Sequence, residues 1–267
     1  MDHINLKTLC SDSQEIILRV GEFIRGEKGK VTRGEIETKS LNSLVSYVDK
    51  TAEELLVKGL GELLPEAVFL TEEETVKTQR GDLRWIIDPL DGTTNFLHSL
   101  PIFSISVALQ WKNETIMGIV YEINQDECFY AWKSGGAFLN GKPITISKTD
   151  DLADALIATG FPYYDYDRIP GYLQILSEMM AKTRGIRRLG SAAVDLVYVA
   201  CGRFDAFFEY SLNVWDVAAG AFIVQEAGGK VTDFRGGDDF LYGREIVATS
   251  AGVEEAFFKY IEVAFGE

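Results

Sequence analysis

The sequence predicts an α+β protein built from stacked layers of helix and sheet. Three observations carry that class. Two segments with helical spacing of apolar residues open the chain, β-prone segments separated by short polar stretches follow from residue 102, and helices alternate with strands in the remainder. Elements grouped in this way bury their apolar faces by stacking.

Residues 6–26 carry Ile16, Ile17, Val20, Phe23 and Ile24 at the spacing of a helix with one packed face. Residues 26–37 are polar and contain glycine, which predicts a loop. In residues 49–64, Ala52, Leu55, Leu56, Gly59, Leu60 and Leu63 share a helix face, and Pro65 ends it. Residues 68–70 read as a short strand before a polar loop at 75–83. Residues 102–111, 116–123, 127–132 and 138–139 are β-prone. The polar stretches Lys112-Asn113-Glu114 and Asn124-Gln125-Asp126 predict an antiparallel meander. Beyond them, strands are expected at 156–159, 185–188, 204–209, 231–233 and 246–248, and helices at 171–182, 191–201, 214–227 and 253–264. The pattern changes near residues 148–151. A single unit, 1-267, is expected, with halves of roughly 1-148 and 149-267 and the site between them, where pockets often form.

At 267 residues, 46% hydrophobic with 6 prolines, the chain is long enough for a large core. No run approaches the ~18 apolar residues of a membrane span. The first fifteen residues show no basic-then-apolar order, so a cytoplasmic protein is expected. Cys10, Cys128 and Cys201 are odd in number and lack a CxxC pair, which fits a reducing compartment and small buried hydrophobes rather than zinc or disulfides. A net charge of −15 argues against direct nucleic-acid binding.

The run Trp85-Ile86-Ile87-Asp88-Pro89-Leu90-Asp91-Gly92-Thr93-Thr94-Asn95-Phe96 places two aspartates at the end of a buried-looking strand. Pro89 has no N–H and restrains Asp88 to extended geometry, so the strand is expected to stop there. Two close carboxylates are costly without a cation, and a hard divalent ion such as Mg²⁺ suits them. A solvated turn of the same composition is the competing reading. Two further segments favour the metal. Trp215-Asp216-Val217-Ala218-Ala219-Gly220 puts an acid at the start of a helical pattern, and Thr71-Glu72-Glu73-Glu74 follows an apolar strand.

These strings, WIIDPLDGTTNF, WDVAAGAFIVQEAGG and the acids after residue 71, together with SLVSYVDKTAEE from Ser43 and Leu189-Gly190-Ser191-Ala192-Ala193, resemble the inositol monophosphatase family of Mg²⁺-dependent, lithium-sensitive sugar phosphatases. The similarity spans nearly the whole chain. It implies a five-layer αβαβα sandwich, a homodimer, and hydrolysis of myo-inositol monophosphate by a metal-activated water. It further implies that Asp88 bridges two ions, with Asp91 and Asp216 completing one and Glu72 the other, and that the Leu90 carbonyl adds an oxygen. Glu72 and Thr93 would orient and deprotonate the water, and Asp49 would accept from the threonine hydroxyl. Lys39 would close over the anion or remain a solvated lysine.

For the phosphate, the resemblance points to the N–H groups of Gly92 and Thr93 if a helix begins there. For the polyol it points to Gly190, Ser191, Ala192, Asp216 and Glu209, the last of which has a strand-end surface acid as its alternative. Four carboxylates and a dianionic phosphate balance three Mg²⁺ ions, while two suffice for the chemistry. The family's usual Gly before the acidic pair is Thr71 here; alignment on the preceding apolar strand selects Glu72 as the ligand, with Glu73 either replacing it by a slip of register or supporting it. Gly92-Thr93-Thr94-Asn95-Phe96 favours the inositol branch over the Gly-Thr-Lys-Glu-Phe of enzymes acting on 3′-phosphoadenosine 5′-phosphate. Fructose 1,6-bisphosphate and histidinol phosphate stay open as substrates, as does a regulatory binding role at the transcription machinery.

Overall fold

The structure is a computed structural model that describes residues 4–40, 43–77, 79–162 and 165–266, with the side chains of residues 33, 38–40, 43 and 44 outside the description. Helices α1 (Leu6–Glu27) and α2 (Tyr47–Leu63) flank a hairpin of β1 (Glu37–Ser40) and β2 (Ser43–Val45). Then come β3 (Val68–Thr71), β4 (Leu83–Asp91), the short α3 (Thr93–Leu97), β5 (Ser104–Trp111), β6 (Glu114–Glu122), β7 (Glu127–Trp132), β8 (Gly136–Leu139) and β9 (Lys142–Ile144). These seven strands form one sheet in chain order, antiparallel except for the parallel pair β3 and β4. The remainder comprises β10 (Leu156–Thr159), α4 (Ile169–Lys182), β11 (Gly185–Arg187), α5 (Ala192–Ala200), β12 (Ala206–Tyr210), α6 (Val214–Glu226), β13 (Lys230–Thr232), β14 (Glu245–Thr249) and α7 (Glu254–Phe265). Its five strands lie in the order β11-β10-β12-β14-β13, with β10 parallel to both its neighbours and β14 antiparallel to both of its own.

Alternation along the strands assigns the layers. Trp85, Ile87, Ile105, Val107 and Leu109 point from the large sheet into a core shared with α1 and α2. Their neighbours Ile86, Ala108 and Val120 face the opposite way, into a second core built around α5 and α6. Phe207, Ile246 and Ala248 enter that same core from the small sheet, whereas Ala206, Phe208 and Val247 face α4 and α7 on its far side. The order is therefore helix, sheet, helix, sheet, helix, the expected αβαβα sandwich. Both α5 and α6 are covered on all sides, which is why their apolar residues show weak periodicity. Gly118 on β6 permits the close approach of α6, since a Cβ there would lie 2.7 Å from the Ala219 carbonyl oxygen.

Most predicted elements fall within a few residues of those observed. The strand stop at Pro89 is corrected. β4 runs on to Asp91, and its pairing with β5 shifts between Asp88, opposite Ser106, and Asp91, opposite Ser104. Pro89 and Leu90 thus face one partner residue in a bulge, which removes proline's missing donor from the ladder. The predicted loop at 26–37 is shortened by α1, which ends at Glu27, and contains a single 3-10 turn at Arg33–Glu35. The β1–β2 hairpin and β9 have no counterpart in the sequence reading.

Candidate active site

One cavity between the two sheets is lined by Glu72, Asp88, Asp91, Gly92, Thr93, Gly190, Ser191, Ala192, Glu209 and Asp216, and the Leu90 backbone opens on it. The bulge in β4 aims Asp88 and Asp91 to the same side. Gly92 then turns the chain with φ 97°, and a Cβ on it would meet the Ile102 carbonyl oxygen at 3.1 Å and the Gly190 carbonyl oxygen at 3.3 Å. Only glycine meets both demands. Helix α3 opens at Thr93, as the anion-site expectation requires.

Helix N-termini supply much of the rest. Asp49 closes the capping box of α2, accepting from the Ser46 N–H at 2.9 Å and the Ser46 hydroxyl at 2.7 Å with one oxygen. Its other oxygen lies 2.9 Å from Thr93 Oγ1. Leu90 O is 3.0 Å from the same hydroxyl. Thr93 has one proton to give, and the carboxylate is the stronger acceptor. Donation to Asp49 leaves the oxygen's lone pairs free to accept from a water.

Ser191 caps α5, and its hydroxyl donates to Asp91 Oδ2 at 2.6 Å while the Ala193 N–H donates to that oxygen at 2.7 Å. Asp216 closes the capping box of α6, taking the Asn213 N–H at 2.6 Å. The Ser106 hydroxyl donates to the Trp215 carbonyl at 3.0 Å and holds that helix end against β5. Residues that read as ordinary caps therefore also form the site, and several helix N-termini turn their positive ends toward it.

The carboxylates act on one another. Burial first, then Glu72, Asp91 and Asp216, push the Asp88 carboxyl well above the usual range. Burial pushes Asp91 up to about 6 against the bonds from Ser191 and Ala193. Asp216 is raised by burial, then by Asp91 and Glu72. Asp88 is 2% exposed, and Glu72, Asp91 and Asp216 are half-buried and line the cavity. Such a cluster is stabilised by cations, and its all-oxygen donor set suits a hard divalent ion. Among the described residues, no three His, Cys, Asp or Glu side chains stand close enough together to hold a metal ion as they are. All four nevertheless line one cavity and offer only oxygen donors, so their chemistry fits such an ion.

Glu209, at the end of β12, is 6% exposed, which overturns the surface-acid alternative. Its carboxyl is raised by burial and then by Asp216, and it packs on Gly160, where a Cβ would come within about 2.1 Å of it. Glu72 lines the cavity beside Asp88. Lys39 lies on β1, and its side chain is outside the described residues.

The polar residues of the site that the sequence reading missed include Asn95, Arg188 and Asp195. Asn95 Nδ2 donates to the Ile102 and Leu189 carbonyls, both at 2.8 Å, tying α3 to the loop before α5. Asp195 on α5 lines the cavity, and its Oδ1 is buried without a hydrogen-bond partner. Burial, then Glu209 and Asp91, hold its carboxyl well above the usual range. A lone acid within an apolar helix was the available signal. No helix among the described residues is long and apolar enough to cross a membrane.

Comparison with known proteins places this geometry among relatives. A family model described as the inositol monophosphatase family matches residues 5–262. Inositol-1-monophosphatase of Mesorhizobium japonicum is 37% identical over 246 residues, which is 92% of each chain. A protein of Neisseria meningitidis serogroup B named putative Nus factor SuhB is 42% identical over 244 residues, covering 91% of this chain and 94% of its own. The crystal structure of extragenic suppressor protein suhB from Bartonella henselae matches with a TM-score of 0.89 at 36% identity, over 94% of this chain and 97% of that one. An IMPase structure from Thermotoga maritima matches with a TM-score of 0.86 at 33% identity, over 95% and 96%.

Proposed function

The chain belongs to the inositol monophosphatase family, and on that footing we propose that it is a Mg²⁺-dependent phosphomonoesterase that releases phosphate from myo-inositol monophosphate. The observation that carries this reading is the convergence of Asp88, Asp91, Asp216 and Glu72 on one cavity beside the Thr93–Asp49 pair. Asp88, Asp91, Asp216, Glu72 and the Leu90 carbonyl would hold two or three Mg²⁺ ions. Bound there, the ions would neutralise the phosphate, lower the pKa of a water and stabilise the leaving alkoxide.

The chain's own groups do the positioning. Asp49 keeps the Thr93 proton turned away from the cavity, so that Thr93 Oγ1 accepts from the attacking water and Glu72 takes its proton. The N–H groups of Gly92 and Thr93 hold phosphate oxygens, with Lys39 closing over them. Glu209 accepts from a polyol hydroxyl, and Gly190, Ser191 and Ala192 form the wall beside it. A homodimer in the cytoplasm completes the proposal.

The test is phosphate release from a panel of esters with and without Mg²⁺ and Li⁺. The reading expects myo-inositol monophosphate to lead fructose 1,6-bisphosphate, histidinol phosphate and 3′-phosphoadenosine 5′-phosphate in kcat/KM. A different leader would move the proposal to that substrate, and release that ignores Mg²⁺ would end it. One observation favours an additional role: some relatives are named Nus factors. The net charge of −15 then points to a protein contact in the transcription machinery rather than to nucleic acid. Under that role Asp88→Asn loses turnover and keeps the contact.

A further inference from the structure

Glu53 sits on α2 one helical turn beyond Asp49, fully buried at 0% exposure. Its Oε2 accepts from the Glu73 N–H at 2.7 Å. Its Oε1 accepts from the Thr75 N–H at 2.8 Å and from the Thr75 hydroxyl at 2.7 Å. Between these anchors Glu74 adopts φ 52°, a left-handed conformation that a non-glycine residue keeps only when its surroundings impose it. On the other side, the Glu72 N–H donates to the Ile87 carbonyl at 3.2 Å, next to Asp88. The turn after β3 is thus pinned to β4 at Glu72 and to α2 at Glu73 and Thr75.

Residues four apart on a helix share a face. One face of α2 therefore serves two targets, with Asp49 holding the Thr93 hydroxyl and Glu53 holding the acidic turn. We propose that Glu53 is a positioning residue that fixes the register of this turn, so that Glu72, and not the adjacent Glu73, meets the divalent cation and the reacting water. The three bonds to a buried carboxylate are charge-assisted, the stronger class of hydrogen bond. A slip of one residue would instead present Glu73. The catalytic consequence rests on the phosphatase reading; the clamp itself does not.

The test uses Glu53→Gln in the full chain. A glutamine amide offers one acceptor and one NH₂ group, so in either orientation a donor faces a backbone N–H. In the metal-free protein, amide hydrogen exchange at Glu73 and Thr75 should speed up at least tenfold, with exchange in β5 and β6 unchanged. The Mg²⁺ concentration giving half-maximal thermal stabilisation should rise roughly 10- to 100-fold, the usual effect of losing a partner that orients a ligand. Adding Glu73→Gln should weaken Mg²⁺ binding further in the Glu53→Gln background than in the wild type, because only a slipped turn brings Glu73 to the ion. If Glu53→Gln does not fold, Thr75→Val removes one of the three bonds and should move exchange and Mg²⁺ requirement in the same directions by less. Unchanged exchange overturns the clamp whatever the turnover. Faster exchange with an unchanged Mg²⁺ requirement overturns it too, since the bonds then serve the fold alone. If the wild type released no phosphate from any ester, the phosphatase reading would fall, while exchange and Mg²⁺ binding would still decide the clamp.

Discussion

Replacing Asp88 by Asn should make the metal-free protein more stable and the protein in Mg²⁺ inactive. Asp91 sets the scale. Its carboxyl is pushed from 3.8 to about 6, although two hydrogen bonds favour its charged form. At neutral pH that displacement corresponds to about 3 kcal/mol of folding free energy. Asp88 has a single such bond, from the Leu90 N–H at 2.9 Å, and feels Glu72, Asp91 and Asp216 together, so its charged form is disfavoured in the fold as well. Asparagine Oδ1 can keep the Leu90 bond while removing the charge. At roughly 2–4 °C per kcal/mol for a chain of this size, an effect as large as that at Asp91 is about 6–12 °C, and Asp88→Asn should melt above the wild type in chelator at pH 7.5. Saturating Mg²⁺ should stabilise the wild type strongly and the variant little. The assay is thermal unfolding followed by circular dichroism with and without Mg²⁺. A variant that melts at or below the wild type in chelator, or that gains the same Mg²⁺ shift, would refute the reasoning.

The same electrostatics predict a pH dependence. Because the folded pKa of Asp91 lies above its unfolded value, the folded state holds a proton that the unfolded chain releases between about pH 4 and 6. In chelator, the wild type should therefore lose stability relative to Asp91→Asn as pH rises through that window, and a melting difference that is flat from pH 4 to 6 contradicts this. Thr93→Ala should leave Asp49 held by Ser46 and cost about 1 kcal/mol of stability. Its kcat should fall by roughly 10²- to 10⁴-fold, and near-normal kcat would remove Thr93 from the water's path. Gly92→Ala should lower stability by more than ~1 kcal/mol, because its φ of 97° and its contact with the Ile102 carbonyl both oppose a Cβ. Chemical denaturation measures that loss, and an unchanged midpoint would show that the turn relaxes.

Much of this molecule is legible before folding because its signals are local. The apolar spacing of α1 and α2 and the polar breaks between β5, β6 and β7 each lie within one element. The string from Asp88 to Thr93 is likewise local, and the structure gathers its acids in one cavity. What escaped depends on partners far away in sequence. Asn95 reads as a turn residue until Leu189 comes to lie beside it. Glu209 is named for the polyol from the sequence, but its surface-acid alternative falls only when Gly160 comes to pack on it. Pro89 looks like a strand end because sequence does not display the bulge that accommodates it. The β1–β2 hairpin was invisible for another reason: it stands apart from both large sheets, so no alternation marks it.

The central claim is metal-dependent hydrolysis at the cluster around Asp88, and phosphate release from myo-inositol 1-phosphate tests it most directly. Wild type, Asp88→Asn and Asp216→Asn would be assayed side by side in Mg²⁺ and in chelator. The expected result is release by the wild type in Mg²⁺ alone, with both variants lowered by more than the ~10²-fold typical of losing an outer partner. Equal release in chelator, or folded variants that turn over at the wild-type rate, would contradict it.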